Sequence, residues 1–302
     1  MNYLTIDLGR TRLRYAVISE ELDIIASGQE YTTIETREGV FEPIRKIADQ
    51  YRDMVEGCSV TMPGVIDVEN GIAYSGGVYE WVKDYPYAKE LSEYIDMPVA
   101  ICNDAKAAAL AELGYGALKN VQNGVLMMIF ATGIGGAVIT NGKLLSGQHF
   151  AAGEFSYIKG DYKNRENGRD MFALGSSLDE LSRCVEKTSG KKNLNILRIM
   201  GKINAGDKKV EQGVRDYIDM LSTYMYNIQC VIDAEVFVLG GNITDEPAMM
   251  KMIKEGIHEK FENSPYHNIF EPKIKNVVFH SNSRMYGAVY NYRQLFGSGE
   301  KQ

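Results

Sequence analysis

Excess basic charge, paired cysteines and long apolar runs are what this chain lacks. Its 33 Lys and Arg are outnumbered by 40 Asp and Glu, a formal net charge of -7. Nucleic-acid surfaces draw most of their affinity from basic patches, so no nucleic-acid partner is expected. No apolar run reaches the roughly 20 residues of a bilayer-spanning helix, and the chain begins with a strand-like segment. That start has no basic region followed by an apolar signal core, so no membrane partner is expected either. Cys58, Cys102, Cys184 and Cys230 are scattered, and none forms a C-x-x-C pair. They read as four buried thiols in a reducing cytoplasm. Low-complexity tracts are absent, and 302 residues of average charge and apolar content suffice for two globular domains.

What the chain does have is a duplicated turn. Asp7-Leu8-Gly9-Arg10-Thr11 follows the apolar run Tyr3 to Ile6, and Ala131-Thr132-Gly133-Ile134-Gly135-Gly136 follows Val125 to Phe130. A second apolar run comes after each, Leu13 to Ile18 and Ala137 to Thr140, and Ser27-Gly28-Gln29 is echoed by Ser146-Gly147-Gln148. A lone Gly-rich turn is most often just a hairpin. Two of them, each exposing backbone amides that can hold phosphate oxygens, point to a nucleotide gripped between two related lobes.

Apolar runs alternating with helical patterns predict mixed α/β domains with largely parallel sheets. The spacing of Val40, Phe41, Ile44, Ile47, Ala48 and Tyr51 predicts a core-facing helix. Ser59 to Met62 and Val99 to Cys102 read as buried strands, the second running into Asn103-Asp104 and an alanine-rich helix. The pattern breaks around residues 114–123, which sets the expected lobes at 1–117 and 118–284. In the second, Ser177 with Glu180 forms a capping box, and Val214, Tyr217, Ile218, Leu221, Met225, Ile228 and Ile232 share one helix face. Val236 to Leu239 reads as a strand ending at Gly240-Gly241, and Val277 to His280 as another. A final helix over 285–297 is expected to pack back on the first lobe.

Several residues admit two readings. Asp7, where a strand meets a Gly turn, is either a carboxylate holding Mg²⁺ through water or a turn aspartate bonding its own backbone. Thr11 and Thr132 offer hydroxyls to phosphate. Asn103 and Asp104 are either helix caps or, respectively, a ligand for a substrate hydroxyl and a general base that deprotonates another. Asp7, Asp104 and Thr132 all fall at the carboxyl ends of strands, where sites in open α/β sheets gather. Glu154 either binds paired sugar hydroxyls or is an exposed loop residue. Gly240-Gly241 either admits an adenine ring against bare backbone or is a tight strand-to-helix connection. Gly76, Gly77, Tyr79 and Trp81 are candidates for lining a sugar pocket, with a core or lid role as the alternative.

Taken in order, Asp7 to Thr11, Pro63-Gly64-Val65-Ile66-Asp67, Asn103 to Ala109, Ala131 to Gly136, Asn141 to Leu145, Ala151-Ala152-Gly153-Glu154 and Val238 to Gly241 resemble the ROK family of the actin-like ATPase superfamily. The resemblance implies a two-lobed, actin-like (ribonuclease H-like) α/β fold with a cleft between lobes, and a homodimer. It implies transfer of the γ-phosphoryl of MgATP to a sugar hydroxyl, O6 of a hexose or β-glucoside. By it, Asp104 is the catalytic base. Asn103, Glu154, Gly64 and Gly77 are implied to bind sugar. Asp7, Gly9, Thr11, Thr132, Gly133 and Gly135 match the phosphate motifs, and Gly240 and Gly241 the adenosine region.

Three departures stand out. Arg10 replaces a second glycine in the first motif, where it either adds a cation near the phosphates or points to solvent. Glu154-Phe155-Ser156-Tyr157 replaces Glu-x-Gly-His, and Tyr157 can donate to a sugar but not ligate zinc. Residues 158–172 hold neither Cys nor His, so no zinc is expected. Asp170 is placed where the family has a second sugar-binding glutamate. Glucose, mannose-type amino sugars and β-glucosides all remain open, with the β-glucoside kinase type the nearest match. A non-catalytic sugar sensor of the same fold is the alternative. A sugar-responsive repressor fits less well, since no DNA-reading element precedes Asp7.

Overall fold

The same sheet is built twice in this computed structural model, which describes residues 1–130, 133–160, 171–175, 177–265 and 268–297. In the first half, β1 (Asn2–Leu8), β2 (Arg12–Ser19) and β3 (Ile24–Tyr31) form an antiparallel meander. Helix α1 (Arg37–Tyr51) then covers the sheet with Val40, Phe41, Ile44, Ile47 and Ala48. The Thr36 hydroxyl caps it by accepting from the Gly39 amide. β4 (Cys58–Met62) adds in parallel to β1. A small antiparallel sheet of β5 (Ile66–Asp67), β6 (Ile72–Ser75) and β7 (Lys83–Tyr85) follows. Next come α2 (Tyr87–Ile95), the parallel strand β8 (Val99–Asn103) and α3 (Asp104–Tyr115).

The second half repeats this plan with β9 (Gly124–Ile129), β10 (Ile134–Thr140) and β11 (Lys143–Leu144) as the meander. Helices α4 (Phe172–Gly175), α5 (Leu178–Ser189), α6 (Ile196–Asn204) and α7 (Lys208–Ile232) lead to β12 (Val236–Gly240), parallel to β9. Helix α8 (Pro247–Glu262), β13 (Lys273–Asn276) and α9 (Ser283–Phe296) complete the described elements. The sheet orders are β3-β2-β1-β4-β8 and β11-β10-β9-β12-β13, the same topology in both. The duplication expected from the turns therefore extends to whole sheets. The serine half of the expected capping box opens α5, with the Ser177 hydroxyl accepting from the Glu180 amide.

Two expectations are corrected. Val277 to His280 is not a strand; β13 lies just before it, over Lys273–Asn276. Among the described residues that strand pairs only with β12, and an edge favours outward lysines, here Lys273 and Lys275, over an apolar run. Nor does the Ser-Gly-Gln echo hold: Ser27 to Gln29 sit within β3, whereas residues 146–148 form a loop.

The chain divides into two compact units, residues 1–119 with 146–152 and 281–302, and residues 120–145 with 153–280. The division after residue 119 lies two residues beyond the expected boundary. In the first unit α9 packs chiefly on α3. Its Tyr292 ring lies 5.3 Å from that of Tyr3, and the Asn291 amide donates to the Ile101 carbonyl at 3.1 Å. The loop 146–152 joins the same unit, with Phe150 stacked on Tyr74 at 5.8 Å. Among the described residues no helix is long and apolar enough to cross a membrane.

All four cysteines are free, but only Cys58 and Cys102 are buried as expected. Burial pushes the Cys58 and Cys102 thiols up to about 12 and the partly buried Cys184 to about 11, whereas Cys230 is exposed on α7. A disulfide reagent at neutral pH is expected to titrate Cys230 fast, Cys184 slowly, and Cys58 and Cys102 only in denaturant. A fast phase surviving in Cys230→Ser would contradict this ordering.

Candidate active site

The first turn closes when the Gly9 amide donates to the Arg12 carbonyl at 3.0 Å. Arg10 and Thr11 are exposed at its tip. Tyr79, a candidate for the sugar pocket, is instead buried, and its hydroxyl donates to the Gly9 carbonyl at 2.6 Å. Burial and the nearby Asp7 carboxylate push the Tyr79 phenol well above its usual range, so it stays a donor and braces the turn. Trp81 also belongs to a packed cluster, with its ring 6.1 Å from Phe41 and 5.4 Å from Tyr85.

Asp7 is only 3% exposed. Its Oδ2 accepts from Arg14 Nε at 3.1 Å and Nη2 at 2.8 Å. Its Oδ1 accepts from the Thr61 hydroxyl at 3.1 Å and lies 3.1 Å from Arg284 Nη1. Arg14 also donates to the Ser281 carbonyl at 2.9 Å. Sequence reasoning missed all three partners. Arg14 could have been found, because counting outward from the hairpin sets it directly across from Asp7. Nothing local pointed to Thr61 or Arg284, which are brought in by β4 and α9.

The second turn has the same register. Ile129 pairs with Ile134 as Leu8 pairs with Leu13, and the Phe130 amide donates to the Gly133 carbonyl at 2.9 Å. Between them Ala131 and the expected phosphate ligand Thr132 lie outside the described residues. Gly135 is not part of the turn; it sits within β10 opposite Met128. Gly241 has φ +98°, and a Cβ there would collide with the Ile129 carbonyl oxygen at the end of β9. Only glycine fits this approach. Beyond it lies a cavity of about 420 Å³, lined among others by Leu178, Leu181, Leu197, Ile199, Asn242 and Asp245.

At the end of β8 the two readings of Asn103 and Asp104 separate. Asn103 is the cap of α3: its Oδ1 accepts from the Ala105 and Lys106 amides at 2.9 and 3.0 Å. Its Nδ2 donates to the Gly64 carbonyl at 3.0 Å. Gly77 lies against Pro63, the neighbour of Gly64, so Gly64, Gly77, Asn103 and Asp104 gather in one region of the first unit. Asp104 is not the cap. It is the first residue of α3, 21% exposed, with Oδ1 2.8 Å from the Ala105 amide and Oδ2 4.0 Å from Arg284 Nη1. One guanidinium nitrogen thus spans the carboxylates of Asp7 and Asp104.

The ROK family profile matches residues 3–294. The chain belongs to the ROK family. It is 26% identical over 304 residues to a β-glucoside kinase from Listeria monocytogenes serovar 1/2a, covering 97% of this chain and 98% of that one. A ROK family protein from Streptococcus pneumoniae, solved in complex with sucrose, is similar at TM-score 0.84 and 26% identity, over 97% and 98% of the two chains. A ROK family glucokinase from Streptomyces griseus, in complex with glucose and AMPPNP, has the same fold at TM-score 0.78 and 18% identity, over 95% and 98%. The repeated sheets are those of the actin-like fold that the motifs implied.

In this ROK protein Glu154 is half-buried and precedes a single 3-10 turn, Phe155–Tyr157. The Ser156 hydroxyl donates to the Ile134 carbonyl, which ties this turn to the start of β10. Tyr157 is 69% exposed. Lys159 bridges to Met171, whereas Asp170, the expected counterpart of a second sugar-binding glutamate, lies outside the described residues. Among the described residues no group of three or more His, Cys, Asp or Glu could hold a metal ion. Magnesium held through Asp7 would need a free acceptor position on that carboxylate. A carboxylate offers about four such positions, and four protein donors already face those of Asp7.

Proposed function

We propose that this ROK protein is an ATP-dependent sugar kinase that transfers the γ-phosphoryl group to a hydroxyl of a hexose or β-glucoside, that at C6. The observation carrying this reading is Asp104: a partly exposed carboxylate at the carboxyl end of a parallel strand, beside Asn103 and Gly64. Phosphoryl transfer asks little of the protein beyond an aligned acceptor, a base for its proton and stabilised phosphate charge. Asp104 Oδ2 takes the proton from the sugar hydroxyl as its oxygen attacks the γ-phosphorus, and the bond to the β-phosphate oxygen breaks. The helix cap made by Asn103 fixes the backbone that carries Asp104, so the base is held without a loop to order.

The two turns are proposed to present backbone amides and the Thr11 and Thr132 hydroxyls to the phosphates, with Gly9, Arg10 and Gly133 beside them. The cavity beyond Gly240 and Gly241 has the apolar walls an adenine ring needs. Glu154, Tyr157 and Asp170 are proposed to hold sugar hydroxyls. Magnesium travelling with ATP offsets phosphate charge. No zinc is invoked. A β-glucoside is the favoured acceptor, supported by the end-to-end similarity to a β-glucoside kinase. A homodimer in the cytoplasm is proposed on the same kinship.

Coupled ADP release across glucose, N-acetylmannosamine and β-linked glucose disaccharides tests this. Sugar-dependent ADP is expected, fastest with a disaccharide. Sugar binding by calorimetry with no ADP from any acceptor would instead establish the non-catalytic sensor.

A further inference from the structure

Asp7 is where magnesium is expected in a chain of this kind, and its surroundings argue otherwise. The carboxylate is 3% exposed, and its two oxygens face Arg14 Nε, Arg14 Nη2, Thr61 Oγ1 and Arg284 Nη1, all at 2.8–3.1 Å. With Arg14 and Arg284 balanced by the carboxylates of Asp7 and Asp104, the cluster carries no net negative charge to attract a divalent cation. Arginine presents several donors in a rigid fork, so a carboxylate that holds two of them fixes where both point.

We propose that Asp7 is the counter-ion of an arginine clamp formed by Arg14 and Arg284, not the carboxylate that holds the nucleotide's magnesium, and that Arg284 is a positioning residue for Asp104. Each strand of the argument has its own geometry. Arg14 ties β2 to Asp7 and to the Ser281 carbonyl just ahead of α9. Arg284, two residues into α9, reaches Asp7 Oδ1 at 3.1 Å and Asp104 Oδ2 at 4.0 Å. The start of α9, the end of β1 and the start of α3 are thereby joined through one partly buried guanidinium. Breaking one partner of such a network leaves the others unpaired in a poorly solvated place.

The part played by Asp104 rests on the function proposed above; the occupancy of Asp7 does not. Manganese is used as the probe, titrated into protein with ADP and followed by water-proton relaxation, with circular dichroism to confirm folding. Manganese affinity in Asp7→Asn is expected to match that of wild type. A loss of about tenfold or more in the folded variant, the usual scale for removing a metal's supporting carboxylate, overturns the clamp. If Asp7→Asn does not fold alone, the double variant Asp7→Asn with Arg284→Gln, which removes one charge of each sign, decides: manganese affinity is again expected to match wild type, and a tenfold loss overturns the proposal. For the positioning role, Arg284→Gln is expected to lower kcat about tenfold with the sugar KM unchanged, and Arg284→Lys to restore part of it. A change in KM alone, or no change, overturns that half. Absence of turnover in wild type would count against the kinase reading and leave the manganese result standing.

Discussion

Asp104→Asn is expected to lower sugar-dependent ADP release by a factor of about 10² to 10⁴, the usual contribution of a positioned base. The substitution is close to isosteric, and the asparagine Oδ1 can still accept the Ala105 amide that Asp104 accepts at 2.8 Å. Asn103 keeps its two cap bonds to Ala105 and Lys106, so α3 should retain its first turn. What disappears is the negative charge at a helix N-terminus, worth about 0.3–1 kcal/mol there, and the attraction to Arg284 at 4.0 Å. The melting temperature should therefore fall by only a few degrees while turnover collapses. A coupled assay and a melting curve on the same preparation separate the two effects. Turnover at the wild-type rate would mean that Asp104 is not the base.

Gly287→Ala should produce the largest loss of stability among single methyl additions. Inside a helix alanine is ordinarily favoured over glycine by about 1 kcal/mol. At this position of α9, however, the added Cβ would collide with the Ala107 carbonyl oxygen on α3. Backbone cannot rotate away as a side chain can, so the two helices must separate. Ala105, Ala107, Ala108, Ala109 and Ala111 on α3 are all buried, and the small side chains are what let α9 approach. Overpacking of this kind costs about 3 kcal/mol, which in a domain of this size lowers the melting temperature by about 10 °C. Gly201→Ala in α6 is the control, since a Cβ there meets nothing within 4 Å. It is expected to be neutral or stabilising. A Gly287→Ala protein as stable as wild type would refute the close contact.

The elements legible in the sequence were those whose cause is local. Strand–turn–strand spacing located both hairpins, and the Ser177–Glu180 pair located the start of α5, because turns and caps are decided within a few residues. Asn103 and Asp104 were marked as a pair, yet which one caps α3 depends on backbone angles that residue types do not reveal. The aromatic segment around Tyr79 and Trp81 left a sugar-lining and a core role open, and Trp81 takes the core role, packing with Phe41 and Tyr87 of other elements. The short sheet β5-β6-β7 gave no periodic pattern, as strands of two to four residues are too brief to show one. Arg284 was invisible for a different reason. Its partners Asp7 and Asp104 lie far earlier in the chain, and only tertiary contact joins them.

Because α9 comes last among the described elements and packs within the first unit, that unit cannot finish folding on the ribosome when its own strands have emerged. Its alanine-lined α3 must wait, uncovered, while residues 120–280 are translated. The opposite holds for the second unit, whose segments leave the exit tunnel with only residues 146–152 interposed. Domains generally acquire structure as they are synthesised, N-terminal first. Here the first unit is the exception: a nascent chain halted before Ser283 lacks the helix that closes it.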